Sequence, residues 1–178
     1  MDLKILVPKR LKDHRGYFEE TYSRRQYNSM GIDIEFVQDN HSLSYDVGTL
    51  RGLHFQAPPN AQGKLVRCAN GAIFDVAVDI RRGSPTFGQW CGYELTAANG
   101  HQVYVPVGFA HGFVTLEVDS EISYKCTDYY APEAEAAVRW DSCGIDWPLS
   151  RDPILSEKDA IAPVFSDFVS PFIYGVNS

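Results

Sequence analysis

Short runs in which side chains alternate between two faces dominate this sequence, and they constrain its fold more than any other feature. The clearest run is residues 71–80, GAIFDVAVDI. One face carries Phe74, Val76, Val78 and Ile80, and the other carries Ile73, Asp75, Ala77 and Asp79. A period of two residues is the repeat of a β-strand, so this segment predicts a strand.

Similar alternating runs recur along most of the chain, at residues 17–22, 49–56, 64–69, 87–95, 101–105, 113–118 and 122–128. Turn-forming sequences separate them, among them PPN at 58–60, RGSP at 82–85, NG at 99–100 and PVG at 106–108. Eight or more short strands at this spacing predict an all-β sandwich or barrel, with a jelly roll as its natural closure.

Helix signals are few and short. Residues 23–30, ended by Gly31, predict two turns of helix. The sequence Ser156-Glu157-Lys158-Asp159 predicts a capping box that opens a second short helix before Pro163. Because no repeat and no domain boundary interrupts the pattern, we expect a single domain over residues 1–178.

Charge and cysteine content narrow the class of protein. The formal net charge of -7 and the pI of about 5.1 argue against a nucleic-acid surface, so an anionic ligand would need local cations. The four cysteines form no Cys-x-x-Cys pair, the first residues lack the apolar run of a signal peptide, and aspartates break the longest apolar stretches. We expect a cytoplasmic protein with reduced thiols and no membrane association.

Polar residues on the predicted strands each have an ordinary structural explanation. Tyr124 and Tyr130 share one strand face, as an acid and a stacking platform would, but ordinary half-buried aromatic residues do the same. Arg51 and His54 would face opposite sides of a regular strand, unless Gly52 supplies a bulge that turns one of them.

Three further polar residues have interpretations of the same kind. Lys64 opens a strand, where an exposed lysine needs no function. His111 lies in GFAHGF at 108–113, and glycines around such a turn commonly serve backbone geometry alone. Asp159 completes the capping box with Ser156. Taken singly, none of these residues establishes a site.

Taken together, these residues lie in a series of motifs that closely resembles the dTDP-4-dehydrorhamnose 3,5-epimerase family. The motifs are DHRGYFEE at 13–20, QDN at 38–40, RGLHFQ at 51–56, Lys64, FDVAVD at 74–79, SPTFG at 84–88, GFAHGF at 108–113, YKC at 124–126 and LSEKD at 155–159. The match runs from about Asp13 to Phe165. The resemblance implies a cupin-type jelly roll with a few short helices, a homodimer, and no metal or organic cofactor.

The resemblance also implies roles for individual residues. His54 matches the family's catalytic base, Asp159 the carboxylate that orients it, and Tyr124 the proton donor. Lys64 and Arg51 match residues near the sugar ketone and the diphosphate. The remaining positions expected to bind substrate are Arg15, Phe18, Glu20, Gln38, Asn40, His111, Tyr130, Glu135 and Lys158. The N-terminal segment, about 1–45, is expected to contribute to the dimer and to nucleotide binding, and the tail, about 150–178, to pack on the barrel.

The implied chemistry suits these residue types. In a dTDP-4-keto-6-deoxyhexose, the C–H bonds at C3 and C5 are weakly acidic because the carbanion delocalises onto the ketone oxygen. Histidine has a pKa near neutrality, a carboxylate can fix its tautomer, and a cation can stabilise the enolate. A tyrosine on the opposite face can return the proton. We therefore expect epimerisation at C3, C5 or both, most simply in rhamnose biosynthesis.

Two other classes of function stay open on the sequence alone. A metal-dependent cupin enzyme needs a His-x-His pair, but Gln56 stands where the second ligand should follow His54, and only His111 remains as a further imidazole. A non-catalytic sugar-nucleotide binder would not need a base, a carboxylate and an acid together. The residues also do not distinguish inversion at C3 alone, at C5 alone or at both centres.

Overall fold

The computed structural model describes residues 2–175, which form mainly short antiparallel strands. The strands are β1 (Lys4–Leu6), β2 (Arg10–Asp13), β3 (Gly16–Glu19), β4 (Gln38–Ser44), β5 (Leu50–Gln56), β6 (Lys64–Asn70), β7 (Ala72–Asp79), β8 (Trp90–Thr96), β9 (Gln102–Val105), β10 (Phe109–Thr115), β11 (Ser120–Cys126) and β12 (Glu135–Ala137). The helices are α1 (Arg24–Ser29), α2 (Glu157–Ala160) and two 3-10 turns at Pro132–Ala134 and Phe165–Asp167. Over this range no helix has both the length and the apolar character needed to cross a membrane.

Two five-stranded sheets and one separate hairpin make up the fold. Sheet 1 has the strand order β1-β9-β6-β11-β4, and sheet 2 has the order β12-β5-β10-β7-β8. Strands β2 and β3 pair with each other to form the N-terminal hairpin. Neighbours within each sheet are mostly distant in the sequence, as in a jelly roll. The all-β jelly roll predicted from the sequence is confirmed.

The facing sides of the two sheets build the main core. Val66, Val103 and Ile122 of sheet 1 pack against Ile73 and Phe113 of sheet 2, and none of the five is more than 6% exposed. Burial of apolar side chains is the dominant favourable contribution to folding, so this layer fixes the distance between the sheets.

Strand β7 is buried on both of its faces. Ala77 on the inward face lies in the main core, while Val76 and Val78 on the outward face belong to a second apolar cluster. The C-terminal segment covers that outward face, and Phe172 within it is only 4% exposed. Both faces of this strand can therefore be apolar, because a later part of the chain shields the second one from water.

Both predicted helices form at the predicted positions, α1 within residues 23–30 and α2 after Ser156. Ser23 precedes α1 and Ser156 precedes α2 in extended conformation, as N-cap residues do. Tyr27 of α1 is buried, and its hydroxyl lies 2.9 Å from the Gln102 side-chain oxygen. This contact ties α1 to strand β9 of sheet 1.

The end of strand β10 differs from the sequence prediction. The alternating pattern predicted a strand over residues 113–118, but the strand spans Phe109–Thr115. Val118 continues the alternation yet is 61% exposed, and Asp119 has a φ of +50°. The chain bends directly after Thr115 and then turns at residues 118–119, where Asp119 is left-handed; the spacing of apolar residues does not reveal this.

Strand β5 carries a bulge opposite β10. Two residues of β5, Gly52 and Leu53, face the single residue Gly112, because the register between the strands shifts there. The bulge lets Arg51 and His54 line one cavity, although a regular strand would turn them to opposite sides. The role considered for Gly52 from the sequence is therefore confirmed.

Only glycine fits this bulge without distortion. Gly52 has a φ of +137°, which L side chains rarely adopt. A Cβ atom added there would lie 2.5 Å from the Cα atom of Gly112. Two backbones thus approach each other at the point where β5 turns its functional side chains inward.

We expect Gly52→Ala to lower the free energy of unfolding by about 2 kcal/mol more than Gly16→Ala, as measured by urea unfolding. The two glycines have nearly the same φ, +137° and +138°, so the backbone strain is matched. A Cβ atom at Gly16 meets nothing within 4 Å, whereas at Gly52 it meets backbone. Equal losses in the two variants would show that the close approach to Gly112 is unimportant.

Candidate active site

A cavity of about 410 Å³ is lined by both sheets and by residues 154–159. Its polar lining includes the predicted base, carboxylate, acid and lysine, and its apolar lining includes branched and aromatic residues of both sheets. The lining residues are Ser42, Thr49, Leu50, Arg51, His54, Lys64, Val66, His111, Phe113, Ile122, Tyr124, Ile154, Leu155, Ser156 and Asp159. A second hollow of about 290 Å³ adjoins it and shares His54, Lys64 and Tyr124.

His54 and Asp159 form a short hydrogen bond at the cavity wall. The Nε2 atom of His54 lies 2.5 Å from Oδ1 of Asp159. Asp159 is 2% exposed and sits in α2, where its backbone N–H donates to the Ser156 side-chain oxygen at 3.2 Å. Only the Ser156 half of the predicted capping box forms, because the Asp159 carboxylate contacts the imidazole and the Gly52 backbone in place of the Ser156 N–H.

The environment of Asp159 favours its ionised form. Burial by itself raises the pKa of this carboxyl group, but the hydrogen bond and charge of His54 outweigh the burial. Hydrogen bonds from Ser156 and from the backbone of Gly52 act in the same direction as His54. The net effect lowers the pKa of Asp159, which keeps a negative charge beside the imidazole at neutral pH.

Lys64 and Tyr124 approach the cavity from sheet 1, whereas His54 belongs to sheet 2. Lys64 and Tyr124 lie on the adjacent strands β6 and β11, and both side chains are half-buried. Burial lowers the pKa of the Lys64 ammonium and raises the pKa of the Tyr124 phenol. The phenol is therefore protonated at neutral pH, and it lies on a different wall from the imidazole.

The cavity carries cationic side chains that have no anionic partner of their own. Arg51 donates to the Ser44 hydroxyl at 3.2 Å and to the Leu43 carbonyl at 3.1 Å, which holds it against strand β4. Among residues 2–175, neither Arg51 nor Lys64 forms an ion pair. Both groups remain available to an anionic ligand.

A second carboxylate–imidazole pair lies next to the first. His111 Nε2 is 2.8 Å from Asp75 Oδ2, and both residues are buried. His111 is opposite His54 in the register of β10 and β5, so the two imidazoles sit on neighbouring strands. The sequence analysis selected His111 but missed Asp75. The sequence signal that could have indicated Asp75 is its position on the same strand face as the apolar residues Ile73 and Ala77, where an acidic side chain is unusual.

Ser42 is a further cavity residue that the sequence analysis missed. It lies on β4, opposite Ile122, and lines the cavity. Its hydroxyl oxygen is buried and has no hydrogen-bond partner within the described part of the chain. A buried hydroxyl without a partner is costly, so it offers a hydrogen-bonding group to a ligand. A lone serine in a strand gives no such signal in the sequence.

Four of the residues predicted to bind substrate, Gln38, Asn40, Tyr130 and Glu135, line the adjoining hollow. Gln38 donates to Asn40 at 2.9 Å and accepts from the Tyr130 backbone at 2.9 Å. Glu135 accepts from the Tyr130 hydroxyl at 3.0 Å and forms an ion pair with Lys158. These contacts join β4, the loop before β12 and α2 at one end of the cavity.

Gln56, at the position of a second metal ligand in metal-dependent cupins, has a structural role here. Its amide nitrogen donates to the backbone carbonyls of Asn60 and Tyr129, at 2.7 and 3.2 Å, and its oxygen accepts from the Ala131 N–H at 2.9 Å. The side chain therefore fastens two loops. Within the described range, no group of three His, Cys, Asp or Glu side chains is arranged to hold a metal ion.

Arg15, Phe18 and Glu20 lie away from the cavity of their own chain. The Arg15 side chain is 78% exposed and pairs with Asp13, Phe18 is 65% exposed, and Glu20 accepts from Gln26. Arg15 and Phe18 belong to the N-terminal hairpin and Glu20 follows it directly. The structure thus divides the predicted substrate residues into a group that meets at the cavity and a group that does not.

Arg10 anchors the hairpin to the rest of the chain. Its guanidinium donates to the carbonyls of Ala97 and Ala98, at 2.8 and 2.5 Å, and pairs with Glu19 at 2.6 Å. The Tyr17 ring lies 4.2 Å from the guanidinium carbon. The hairpin is therefore held at the turn between β8 and β9, with its tip exposed.

Comparison with known proteins gives these observations a family context. Residues 1–167 match the family model described as dTDP-4-dehydrorhamnose 3,5-epimerase. The chain is 54% identical over 166 residues to the dTDP-4-dehydrorhamnose 3,5-epimerase of Salmonella typhimurium. That alignment covers 92% of this chain and 90% of the relative.

Two solved structures are similar over nearly the whole chain. One is the dTDP-6-deoxy-D-glucose-3,5-epimerase of Legionella pneumophila in complex with dTDP-4-keto-L-rhamnose, with a TM-score of 0.90 and 48% identity over 94% of this chain and 89% of that one. The other is the dTDP-4-dehydrorhamnose 3,5-epimerase of Bacillus anthracis with TDP and PPi bound, with a TM-score of 0.90 and 47% identity over 92% and 94%.

The pairing of Asp159 with His54 predicts a pH-dependent contribution to stability. Because the pKa of Asp159 is lowered, its contribution is present above the pKa of an unfolded aspartate, about 3.9, and is lost as the pH falls through the folded pKa. We expect Asp159→Asn to reduce the free energy of unfolding near neutrality, and this deficit to shrink as the pH falls below about 4.

Urea unfolding at several pH values measures this deficit. Asp146→Asn, at an exposed aspartate, is the matched control and is expected to show no comparable trend. A deficit in Asp159→Asn that stays constant from acid to neutral pH would contradict an ionised pair.

Proposed function

Because this chain belongs to the dTDP-4-dehydrorhamnose 3,5-epimerase family and is therefore an isomerase, we propose that it inverts centres beside the ketone of a dTDP-linked 4-keto-6-deoxyhexose. The reaction we propose converts dTDP-4-dehydro-6-deoxy-D-glucose to dTDP-4-dehydro-L-rhamnose, in rhamnose biosynthesis. One observation carries the proposal: the His54–Asp159 pair, Lys64 and Tyr124 surround a single cavity.

His54 is the proposed base. One ring nitrogen is held by Asp159, so the other is left to take a proton from C3 or C5 of the sugar. The carboxylate fixes the imidazole tautomer and stabilises the imidazolium that forms. The lowered pKa of Asp159 supports this role, because only an ionised carboxylate offsets the new positive charge.

Lys64 and Arg51 are the proposed stabilisers of negative charge. Deprotonation beside the ketone places charge on the ketone oxygen, and a cation fixed near that oxygen lowers the barrier most when it needs no rearrangement. Both side chains line the cavity without an ion-pair partner in the described residues, which supports this assignment. Lys64 is assigned to the enolate oxygen, and Arg51 to the diphosphate with a secondary effect on the enolate.

Tyr124 is the proposed acid. Inversion requires the returning proton to arrive on the face opposite to the base. The raised pKa of the Tyr124 phenol keeps it protonated at neutral pH, and the enolate carbon is basic enough to accept its proton. The positions of His54 and Tyr124 on different sheets support attack from two sides of the ring.

The adjoining hollow is the proposed place of the nucleotide. Gln38, Asn40 and Glu135 offer amide and carboxylate groups that can bind a base or ribose, and the exposed Tyr130 ring offers a stacking surface. This hollow shares His54, Lys64 and Tyr124 with the larger cavity, so a nucleotide there would extend its sugar toward those residues. His111 and Lys158 are assigned to the sugar end and to the rim.

We further propose a homodimer in which the N-terminal hairpin of one chain completes the cavity of the other. Arg15 and Phe18 point away from their own cavity, and the hairpin also exposes Leu11 (54%) and Tyr17 (53%). Exposed apolar side chains grouped on one arm are typical of an interaction surface. The anchored base of the hairpin at Arg10 would hold the arm ready for a partner.

The mechanism uses side chains alone, so we propose no metal and no organic cofactor. The engagement of Asp159 and Asp75 by imidazoles and of Gln56 by loop backbone supports this proposal. We place the enzyme in the cytoplasm, with no nucleic-acid or membrane partner. The thiols of Cys68 and Cys126, both buried and not in disulfides, agree with a reducing compartment.

Solvent isotope exchange tests the mechanism. In D₂O, the enzyme is expected to place deuterium at C3 and C5 of a dTDP-4-keto-6-deoxyhexose. NMR measures the deuterium at each carbon. His54→Ala should lower both exchange and product formation by roughly 10²–10⁴-fold, because the base is lost. Tyr124→Phe should lower inversion far more than exchange, because the proton can still leave and return on the His54 side.

His101→Ala, at the turn between β8 and β9, is the matched control and should leave both readouts unchanged. Full exchange in His54→Ala would remove the assignment of the base. Deuterium at one centre only would indicate a C3-only or C5-only epimerase. Saturable dTDP binding with no exchange for any 4-keto sugar would favour the non-catalytic binder, and activity that requires stoichiometric metal would favour a metal-dependent cupin enzyme.

Subunit complementation tests the shared site. Arg15→Ala and His54→Ala are each expected to lose activity, about tenfold or more for the arginine at low substrate concentration. When the two variants are co-expressed, half of the dimers are mixed and each mixed dimer has one intact site. The co-expressed sample should then recover roughly a quarter of the wild-type rate.

The control pairs Arg15→Ala with Phe18→Ala. In each mixed dimer one arm lacks Arg15 and the other arm lacks Phe18. Neither site is then intact, so no recovery is expected. Absence of recovery with the Arg15 and His54 variants would show that the arm does not serve the partner's cavity.

A further inference from the structure

Asp75, the partner of His111, has no part in the function proposed above, yet it is buried inside the barrel. Asp75 is 1% exposed on the inward face of β7, and its Oδ2 atom is 2.8 Å from His111 Nε2. Removing a carboxylate from water costs several kcal/mol unless partners compensate for it. Apolar residues of similar volume often stabilise a core at least as well as such a pair, so stability alone does not explain a carboxylate at this position.

We propose that Asp75 is a positioning residue whose negative charge holds Lys64 in the ammonium form. This inference rests on the proposed function, because it concerns the charge of the group assigned to the enolate oxygen. Asp75 acts on the reaction through Lys64 and is not required to touch the substrate.

The geometry brings the two residues toward each other from opposite sheets. Asp75 shares its strand face with Ala77, which packs in the main core together with Val66 and Val105 of sheet 1. Val66 lies two residues after Lys64 and therefore on the same strand face, and Val105 is the residue paired with Lys64 on β9. His111, which is bonded to Asp75, lines the same cavity as Lys64. The carboxylate therefore projects from sheet 2 toward the part of sheet 1 that carries the lysine.

The charges around Lys64 leave Asp75 as the main support for its positive charge. Burial lowers the pKa of Lys64, while negative charge on Cys126, Asp75 and Glu135 would raise it. Cys126 is an uncharged thiol at neutral pH, because burial raises its own pKa. Glu135 is already paired with Lys158. Of the two carboxylates, Asp75 is the one that is bound to an imidazole, His111, and not to a lysine or arginine side chain.

The other elements around the lysine do not replace this charge. Tyr124 of β11 and Tyr93 of β8 are neutral phenols at neutral pH, because burial raises the pKa of each. Arg51 adds a second positive charge to the cavity, which disfavours another ammonium ion. The remaining titratable side chains that line the two hollows are His54 with its partner Asp159, His111, and Tyr130 at the rim.

A balance of charge follows for the whole cavity. When both imidazoles are neutral, Asp75 and Asp159 contribute two negative charges, and Arg51 and Lys64 contribute two positive charges. Loss of the Asp75 charge would leave Lys64 subject to burial and to Arg51, both of which favour the neutral amine. A neutral amine is a weaker stabiliser of an enolate oxygen than an ammonium ion.

The decisive measurement is the titration of Lys64 in the wild type and in Asp75→Asn. Trace acetylation by acetic anhydride at a series of pH values, quantified by mass spectrometry of the peptide that contains Lys64, reports the fraction of neutral amine. The midpoint is expected to fall by about 1 pH unit or more in Asp75→Asn, because a negative neighbour has been removed. The alkaline limb of the kcat/KM profile should move down by the same amount.

Two further variants keep the inference testable if Asp75→Asn folds poorly. Asp75→Glu retains the charge and is expected to keep the Lys64 midpoint near the wild-type value. His111→Gln retains Asp75 and is expected to leave the midpoint at or above the wild-type value. An unchanged midpoint in folded Asp75→Asn, or a lowered midpoint in either of the other variants, would overturn the inference.

The labelling experiment uses the protein without substrate, so it separates this inference from the proposed function. If the protein lacks epimerase activity but the Lys64 midpoint shifts in Asp75→Asn, the coupling of Asp75 to Lys64 stands and the proposed function is wrong. If the protein has full epimerase activity and the midpoint does not shift, the proposed function stands and the coupling is wrong.

Discussion

A buried carboxylate requires a partner, and Asp159 finds one in the His54 imidazole 2.5 Å away. This contact links α2, which follows all of the barrel strands in the sequence, to strand β5 of sheet 2. Nearby, the Leu50 N–H donates to the Ile154 carbonyl at 2.9 Å, so backbone contacts support the same docking. The contacts that dock α2 and the segment before it on strand β5 are therefore the same contacts that form this wall of the cavity.

The position of the polar groups is set by apolar packing. Lys64 and Tyr124 belong to sheet 1, and Arg51 and His54 belong to sheet 2, so their separation is the separation of the sheets. The buried layer centred on Val66 and its neighbours fixes that distance, because interiors are densely packed and resist compression. An acid and a base placed in this way need no movement of the backbone to face one sugar ring from two sides.

The sequence predicted the type of structure well because its signals are local. Two-residue alternation predicted the strands, Ser156 predicted the start of α2, and the ordered motifs predicted that His54, Lys64, Tyr124 and Asp159 would meet. Long-range features were harder to predict. The pairing of Asp75 with His111 depends on the register of two strands, and Ser42 matters only because a cavity forms beside it.

The N-terminal hairpin shows a second kind of limit. The motif DHRGYFEE was informative about the family, but no pattern within one chain states where a projecting arm will lie. Arg15 and Phe18 are exposed in the single chain, and their position relative to a cavity is a property of an assembly. The end of β10 was also hidden, because apolar alternation continued into the turn at Val118.

The order of the site residues along the chain has a consequence for synthesis on the ribosome. The barrel strands, with His54, Lys64 and Tyr124, emerge before Asp159, and a nascent chain begins to fold from its N-terminal part. Until Asp159 has been synthesised and has emerged from the ribosome, the imidazole has no carboxylate beside it. A ribosome-bound intermediate would thus hold His54 and Tyr124 without the carboxylate that orients the imidazole, and the base would be completed only when α2 docks on β5.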